Sequence, residues 1–331
     1  AGGAGGAGGV GGGGGGGGGA VRRRGAGGKD AGSTRAWDER RMQREYDSLA
    51  RMPTSPHGGL PREQTRDHPL VNAAKIGLMS FWAALSTLLW LPLFVPFLPF
   101  RTVRMMLANF WGRVNAAIML QIIGVRLEVE GREHLVGPAI FVMNHTSFLD
   151  ILVSLSLVPF RTSAIAKQAM LLSPFGVIIW LSGCFLVDRS NHAKAVSTMD
   201  TCCRIMKKSG VGLMIWPEGK RSLDGRLRPF KKGFGHIALG TKLPVVPIIT
   251  HGAHLLIRPG SLGIHPGCLK IKVLPPRGTE EWQRDTLDRD IAGVRNAMLS
   301  QVPIYQRPLL KPTGEEKDVV TRAPTIKFWG V

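Results

Sequence analysis

Acidic residues are scarce in this 331-residue chain: 23 Asp and Glu stand against 43 Lys and Arg, a formal net charge of +20. An excess of that size calls for an acidic partner, whether nucleic acid, anionic lipid headgroups or a phosphorylated substrate. Tyrosine is scarcer still, at two, and no basic stretch alternates with aromatics. That weakens a single-stranded nucleic-acid reading, and with the apolar segment over 76–100 also against it no nucleic-acid partner is expected. The four cysteines, Cys184, Cys202, Cys203 and Cys268, form no C-x-x-C pair. Neither a zinc knuckle nor a disulfide framework is therefore expected, and buried thiols in a reduced compartment are. No G-x-S-x-G elbow supplies a serine nucleophile, and "GKRS" at 219–222 lacks the upstream glycine of a P-loop. His251 and His254 have the spacing of ligands without a carboxylate or thiol beside them, so no metal site is expected.

Charge of either sign is absent from one long run, Ile76 to Phe100, "IGLMSFWAALSTLLWLPLFVPFLPF". As one helix it would reach about 38 Å, enough to cross a hydrocarbon core. Pro92, Pro96 and Pro99 argue against a straight span. Trp82, Trp90 and Trp111, with Arg101, Arg104 and Arg113, have the character of interfacial anchors. Two forms fit: a tilted span ending near Pro92, or a bent helical hairpin in one leaflet with its second arm over 103–123. A buried core helix is the soluble alternative. The boundaries expected are a Gly-rich and charged extension over 1–70, a membrane-embedded helical segment over 71–123, an α/β domain over 124–302 and a tail over 303–331. The extension carries Arg22-Arg23-Arg24 in a background of Gly and Ala. It reads as a disordered poly-glycine tract, with an organelle-targeting peptide as the other possibility.

Beyond 124 the texture changes to short apolar runs separated by helix-length stretches. "VRLEVEG" alternates as a strand, and "AIFVM", "SAIAK", "CFLVD", "GLMIW", "PVVPII" and "LKIKVLP" supply six more. Helices are expected over 147–158, 169–182, 193–209, 232–241 and 283–301. The fold class expected is α/β, a largely parallel sheet flanked by helices. In such sheets reactive groups gather where strands end.

Three clusters follow strand ends. In "NHTSFLD", Asn144 to Asp150, Ser147 and Asp150 have capping-box spacing, which gives Asp150 a purely structural role. His145 lies outside that helix, and a carboxylate holding its ring would make it a general base. "GCFLVDR" ends in Asp188-Arg189, which alone reads as a surface ion pair. "WPEGKRSLDGRLRPFKKG" crowds Lys220, Arg221, Arg226, Arg228, Lys231 and Lys232 into one loop. That loop is either a solvated face or a phosphate cradle. A histidine base without a protein nucleophile implies that the substrate supplies the attacking group.

Four blocks in order give the chain its resemblance to the glycerolipid acyltransferase family, the group of 1-acyl-sn-glycerol-3-phosphate (lysophosphatidic acid) acyltransferases. "NHTSFLD" resembles its N-H-x-S-x-x-D, and Lys167 to Arg189 its K…P…G…G-x-x-F-x-x-D-R. "PEGKRS" resembles P-E-G-T-R-S with Lys220 in place of Thr, and "VVPIIT" resembles the V-P-I block. The resemblance implies that His145 and Asp150 form the catalytic pair. It also implies that Lys167, Arg189, Glu218, Gly219 and Arg221 bind the acceptor's phosphate or shape its loop, and that Val246, Pro247 and Ile248 line the acyl side. The partners it implies are lysophosphatidic acid, acyl-CoA or an acyl carrier protein, and membrane lipid, with no organic cofactor and no metal. The alternatives are glycerol 3-phosphate or another lysophospholipid as acceptor, or a lipid-binding scaffold with a dead site. The endoplasmic reticulum or plastid envelope is the expected location, with a bacterial inner membrane as the other place.

Overall fold

The computed structural model describes residues 69–308, apart from 173–175, 189–191, 258 and 260–262. Two helices come first. Helix α1, Pro69–Phe94, passes through a 3-10 turn, Val95–Phe97, and α2, Arg101–Ile123, folds back along it. Pro96 and Pro99 sit in the connecting turn, where a missing N–H breaks no helix. Ser86 donates to Asn115 Oδ1 at 2.7 Å to tie the arms together. Pro69–Phe97 is long and apolar enough to cross a membrane, and 11% of its most apolar window is buried in protein.

Seven strands form one sheet: β1 (Val125–Glu130), β2 (Ile140–Met143), β3 (Thr162–Lys167), β4 (Phe185–Val187), β5 (Gly212–Ile215), β6 (Val245–His251) and β7 (Gly267–Val273). Their order is β1-β7-β6-β2-β5-β3-β4, and every neighbouring pair is parallel except β6 with β7. The central β2 and β5 are four residues each and wholly buried, as strands covered on both faces should be. Six further α-helices follow among the described residues: α3 (Leu149–Leu157), α4 (Gly176–Leu181), α5 (His192–Ser209), α6 (Gly233–Thr241), α7 (Ala253–Leu256) and α8 (Leu287–Gln301). One core cluster packs Ala116, Leu120, Leu149 and Val153 on Phe141, Met143, Val246 and Ile248. The other packs Met206, Phe234, Ile237 and Val294 on Ile140, Val142, Val245 and Ile249.

The second arm of the segment expected over 71–123 packs on the sheet with one side and exposes Val103, Met106 and Phe110 on the other. Helix α2 buries Met105, Ala108, Gly112, Asn115, Ala116, Leu120 and Ile123. Gly112 lets α3 come close, for a Cβ there would lie 2.9 Å from Leu155 Cδ2. Asn109 exchanges two hydrogen bonds with the Thr162 backbone, and Arg113 donates to the Val158 carbonyl at 2.7 Å. This arm is the lid of one sheet face, while Leu78, Phe81, Leu88 and Leu89 of α1 stand exposed. The helix expected over 169–182 is also shorter than its apolar run: a 3-10 turn, Gln168–Leu172, precedes α4. The sequence between carries Pro174, which disfavours helical geometry in the residue before it. The thiols are unpaired, with Cys202 buried and Cys268 exposed rather than all four buried.

The parallel run β6-β2-β5-β3-β4 puts the carboxyl ends of its strands at one edge. Residues 144–150, 216–222 and Lys167 meet there, so blocks far apart in sequence become neighbours.

Candidate active site

After β2, the Asn144 side chain continues the pairing that the backbone gives up. Its Nδ2 donates to the Thr250 carbonyl at 3.0 Å, and its Oδ1 accepts the Thr250 N–H at 2.8 Å. The chain then leaves the sheet at His145 and turns into α3, whose first turn holds Asp150. Asp150 is 0% exposed. Its Oδ2 accepts the N–H groups of Thr146 at 2.5 Å and Ser147 at 2.8 Å, and lies 3.2 Å from His145 Nδ1. Its Oδ1 accepts the Thr250 hydroxyl at 2.9 Å. One oxygen of Asp150 thus both caps the turn and meets the imidazole. Ser147 does not close a full capping box: its hydroxyl accepts the Leu149 N–H at 3.3 Å, not that of Asp150, and donates to the Ile257 carbonyl at 2.7 Å. With Nδ1–H directed at a carboxylate, Nε2 is the nitrogen left to accept a proton. The His145 side chain is 15% exposed.

The turn after β5 is laced to that loop. Its first bond is Gly219 N–H to the Trp216 carbonyl, 3.1 Å. Gly219 has φ +74°, and a Cβ there would lie 2.9 Å from Lys231 Cε, so this turn suits glycine on both counts. Ser222 N–H donates to the His145 carbonyl at 2.7 Å. Glu218 Oε1 accepts the His145 N–H at 2.7 Å and Oε2 the Arg228 N–H at 3.0 Å. At 3% exposure this carboxyl is buried and clips two loops together, in keeping with the loop-shaping part of the role expected of Glu218. Burial pushes its pKa up to about 8, the two backbone N–H groups pull it down, and the Asp150 charge adds to the rise.

The crowd of cations thins in the structure. Arg226 pairs with Asp224 at 2.9 Å and Lys232 with Asp288 at 2.7 Å. Lys220, Arg221 and Lys231 are exposed beside the turn, and Lys167 is exposed at the end of β3. Arg189 lies outside the described residues. Val246 and Ile248 are buried in the cluster under α2 and α3, facing Phe141 and Met143. Pro247 points to the opposite face, because Val245 and Ile249 on either side of it belong to the other cluster. The three therefore cannot line a single wall. Sequence reasoning gave no role to Thr250 or Trp216. Thr250 closes the "VVPIIT" block without its spacing pointing to Asp150, whereas Trp216 stands directly between a buried strand and a Pro-Glu-Gly turn. Among the described residues no three His, Cys, Asp or Glu gather as metal ligands.

The family model for the acyltransferase domain matches residues 126–251, the span from β1 to β6 that builds this edge. The chain is 33% identical over 241 residues to the 1-acyl-sn-glycerol-3-phosphate acyltransferase of Limnanthes douglasii, covering 72% of this chain and 86% of that protein. It is 32% identical over 242 residues to the protein of that name from Cocos nucifera, covering 73% and 79%. In fold it resembles the crystal structure of the 1-acyl-sn-glycerophosphate acyltransferase PlsC from Thermotoga maritima. The TM-score is 0.54 at 24% identity, over 69% of this chain and 96% of that one. Identity at the level of the Limnanthes protein, held over most of that protein's length, means that this chain belongs to the 1-acyl-sn-glycerol-3-phosphate acyltransferase family.

Proposed function

We propose that the protein moves an acyl group from acyl-CoA, or an acyl carrier protein, to the free hydroxyl of lysophosphatidic acid, giving phosphatidic acid. His145 Nε2 takes the hydroxyl proton while the oxygen attacks the thioester carbon. The new C–O bond forms as the C–S bond breaks, and the imidazolium returns its proton to the leaving thiolate. Asp150 holds the ring through Nδ1 and stabilises its charged form. The cation Arg221, with Lys220, Lys231 and Lys167 near the same edge, binds the phosphate; guanidinium suits that geometry best. The observation that carries this reading is the 3.2 Å approach of His145 Nδ1 to a fully buried, fully bonded Asp150 at a strand end.

The same proposal puts the enzyme at a membrane, with α1 as the attachment and its exposed leucines against lipid. The endoplasmic reticulum or plastid envelope is the proposed location, read by fractionation of a tagged chain. The deciding experiment is transfer of labelled acyl to a panel of acceptors by membranes carrying the protein or its His145→Ala variant. Phosphatidic acid that forms from lysophosphatidic acid and vanishes in the variant supports the proposal. Transfer to glycerol 3-phosphate alone replaces the acceptor. No transfer from either donor to any acceptor leaves a lipid-binding scaffold.

A further inference from the structure

The Trp216 ring stacks on the His145 imidazole, with centroids 5.0 Å apart and planes 29° from parallel. The imidazole is thus held twice, in its plane by Asp150 and across its face by the indole. Two features set Trp216 apart from an ordinary core residue. It is only half-buried at the margin of the core cluster under α2 and α3. Its indole N–H is buried yet meets no acceptor among the described residues. A buried donor without an acceptor lowers stability, so packing alone would be better served by Phe or Leu. The same turn also reaches the His145 backbone, the Glu218 carboxylate accepting its N–H and the Ser222 N–H donating to its carbonyl. Backbone, Nδ1 and ring face are each fixed, and Nε2 is the one part of His145 left to meet a substrate.

We propose that Trp216 is a positioning residue for the general base: its ring face sets the plane of the imidazole so that Nε2 meets the acceptor hydroxyl. This rests on the acyl-transfer reading above and adds a residue to it. The role belongs to the ring, not to the N–H, so Phe should serve and an aliphatic side chain should not. Misalignment of a base costs the reacting geometry more than it costs binding. The test uses the full chain in membranes as wild type, Trp216→Phe and Trp216→Met, Met being flexible enough to fill the space. In Trp216→Met, kcat falls about tenfold or more while KM for lysophosphatidic acid stays within about threefold; Trp216→Phe keeps kcat within about threefold. A second readout needs no turnover: carbethoxylation of His145 by diethyl pyrocarbonate, followed by mass spectrometry of its peptide. The rate rises in Trp216→Met, whose ring is no longer held, and not in Trp216→Phe. Wild-type kcat in Trp216→Met, a Phe variant that falls as far as Met, or equal carbethoxylation in all three overturns the proposal. Loss of all transfer in wild type would overturn the acyl-transfer reading instead, and the carbethoxylation rates would still judge Trp216. Trp216→Leu replaces Met if Met does not melt cooperatively.

Discussion

The loops after β2 and β5 each hold a buried carboxyl group, and the two are wired for different work. Asp150 has four donors, and one of them is the ring of His145. Glu218 has two, both backbone N–H groups, from two separate loops. One acid therefore holds a side chain in a chemical state, while the other holds two pieces of backbone in register. Both sit at the same sheet edge, a few residues from a strand end. What separates them is the set of donors that the fold brings to each.

Removing the Asp150 charge should have the largest effect. Asp150→Asn puts an amide where four donors converge, and turnover should fall by about 10²–10⁴, the usual worth of an acid–base group. A loss of less than tenfold in initial rates would erase the distinction drawn here. Arg221→Ala and Lys231→Ala should each raise KM for lysophosphatidic acid about tenfold with kcat little changed, the mark of a charge-assisted phosphate contact. The same variants should not change KM for an acceptor that lacks a phosphomonoester. Glu218→Gln should act on stability before chemistry, because a carboxyl group, whose oxygens can accept the two N–H groups in either charge state, is replaced by an amide that turns an NH₂ to one of them. A loss of about 1–3 kcal/mol in denaturant unfolding is expected.

Glu218 also predicts a pH dependence of definite sign. Its folded pKa is raised to about 8. Between the ordinary carboxylate range and that value, the folded protein keeps a proton that the unfolded chain has lost. Its contribution is thus fully present at acid pH and is lost as pH rises through about 8. Melting temperature should decline over that interval in the wild type, with a flatter slope in Glu218→Gln. The smallest effect is expected from Thr250→Val, which removes one of the donors to Asp150 and leaves the shape. A cost of about 1 kcal/mol and a fall of a few-fold in kcat should follow.

Much of this site was legible along the chain, and the reason is local. "AIFVM" is apolar without a break, so β2 was readable as a covered strand, and His145 and Asp150 lie five positions apart in the turn that follows. Residues that close in sequence meet whatever the rest of the fold does. Thr250 was not legible, because its hydroxyl reaches Asp150 from 100 positions away, across the β2–β6 pairing. Nor was the burial of Glu218, which a polar turn such as Pro-Glu-Gly-Lys-Arg does not suggest. The six cations between 220 and 232 read as one cradle, yet Arg226 and Lys232 are matched by Asp224 and Asp288, the second on α8.

By itself the sequence determined the alternation of strands and helices, the order of the reactive blocks and the uncharged length of α1. Each of these depends on side-chain period and local spacing, which a chain carries in every conformation. Tertiary structure decided which side of α2 covers the sheet, although the arginines of that arm already set it apart from the uncharged run of α1. It also decided which carboxyl meets an imidazole and which meets backbone. Those choices depend on which surfaces are brought together and emptied of water, and burial of that kind exists only once strands distant in sequence lie side by side.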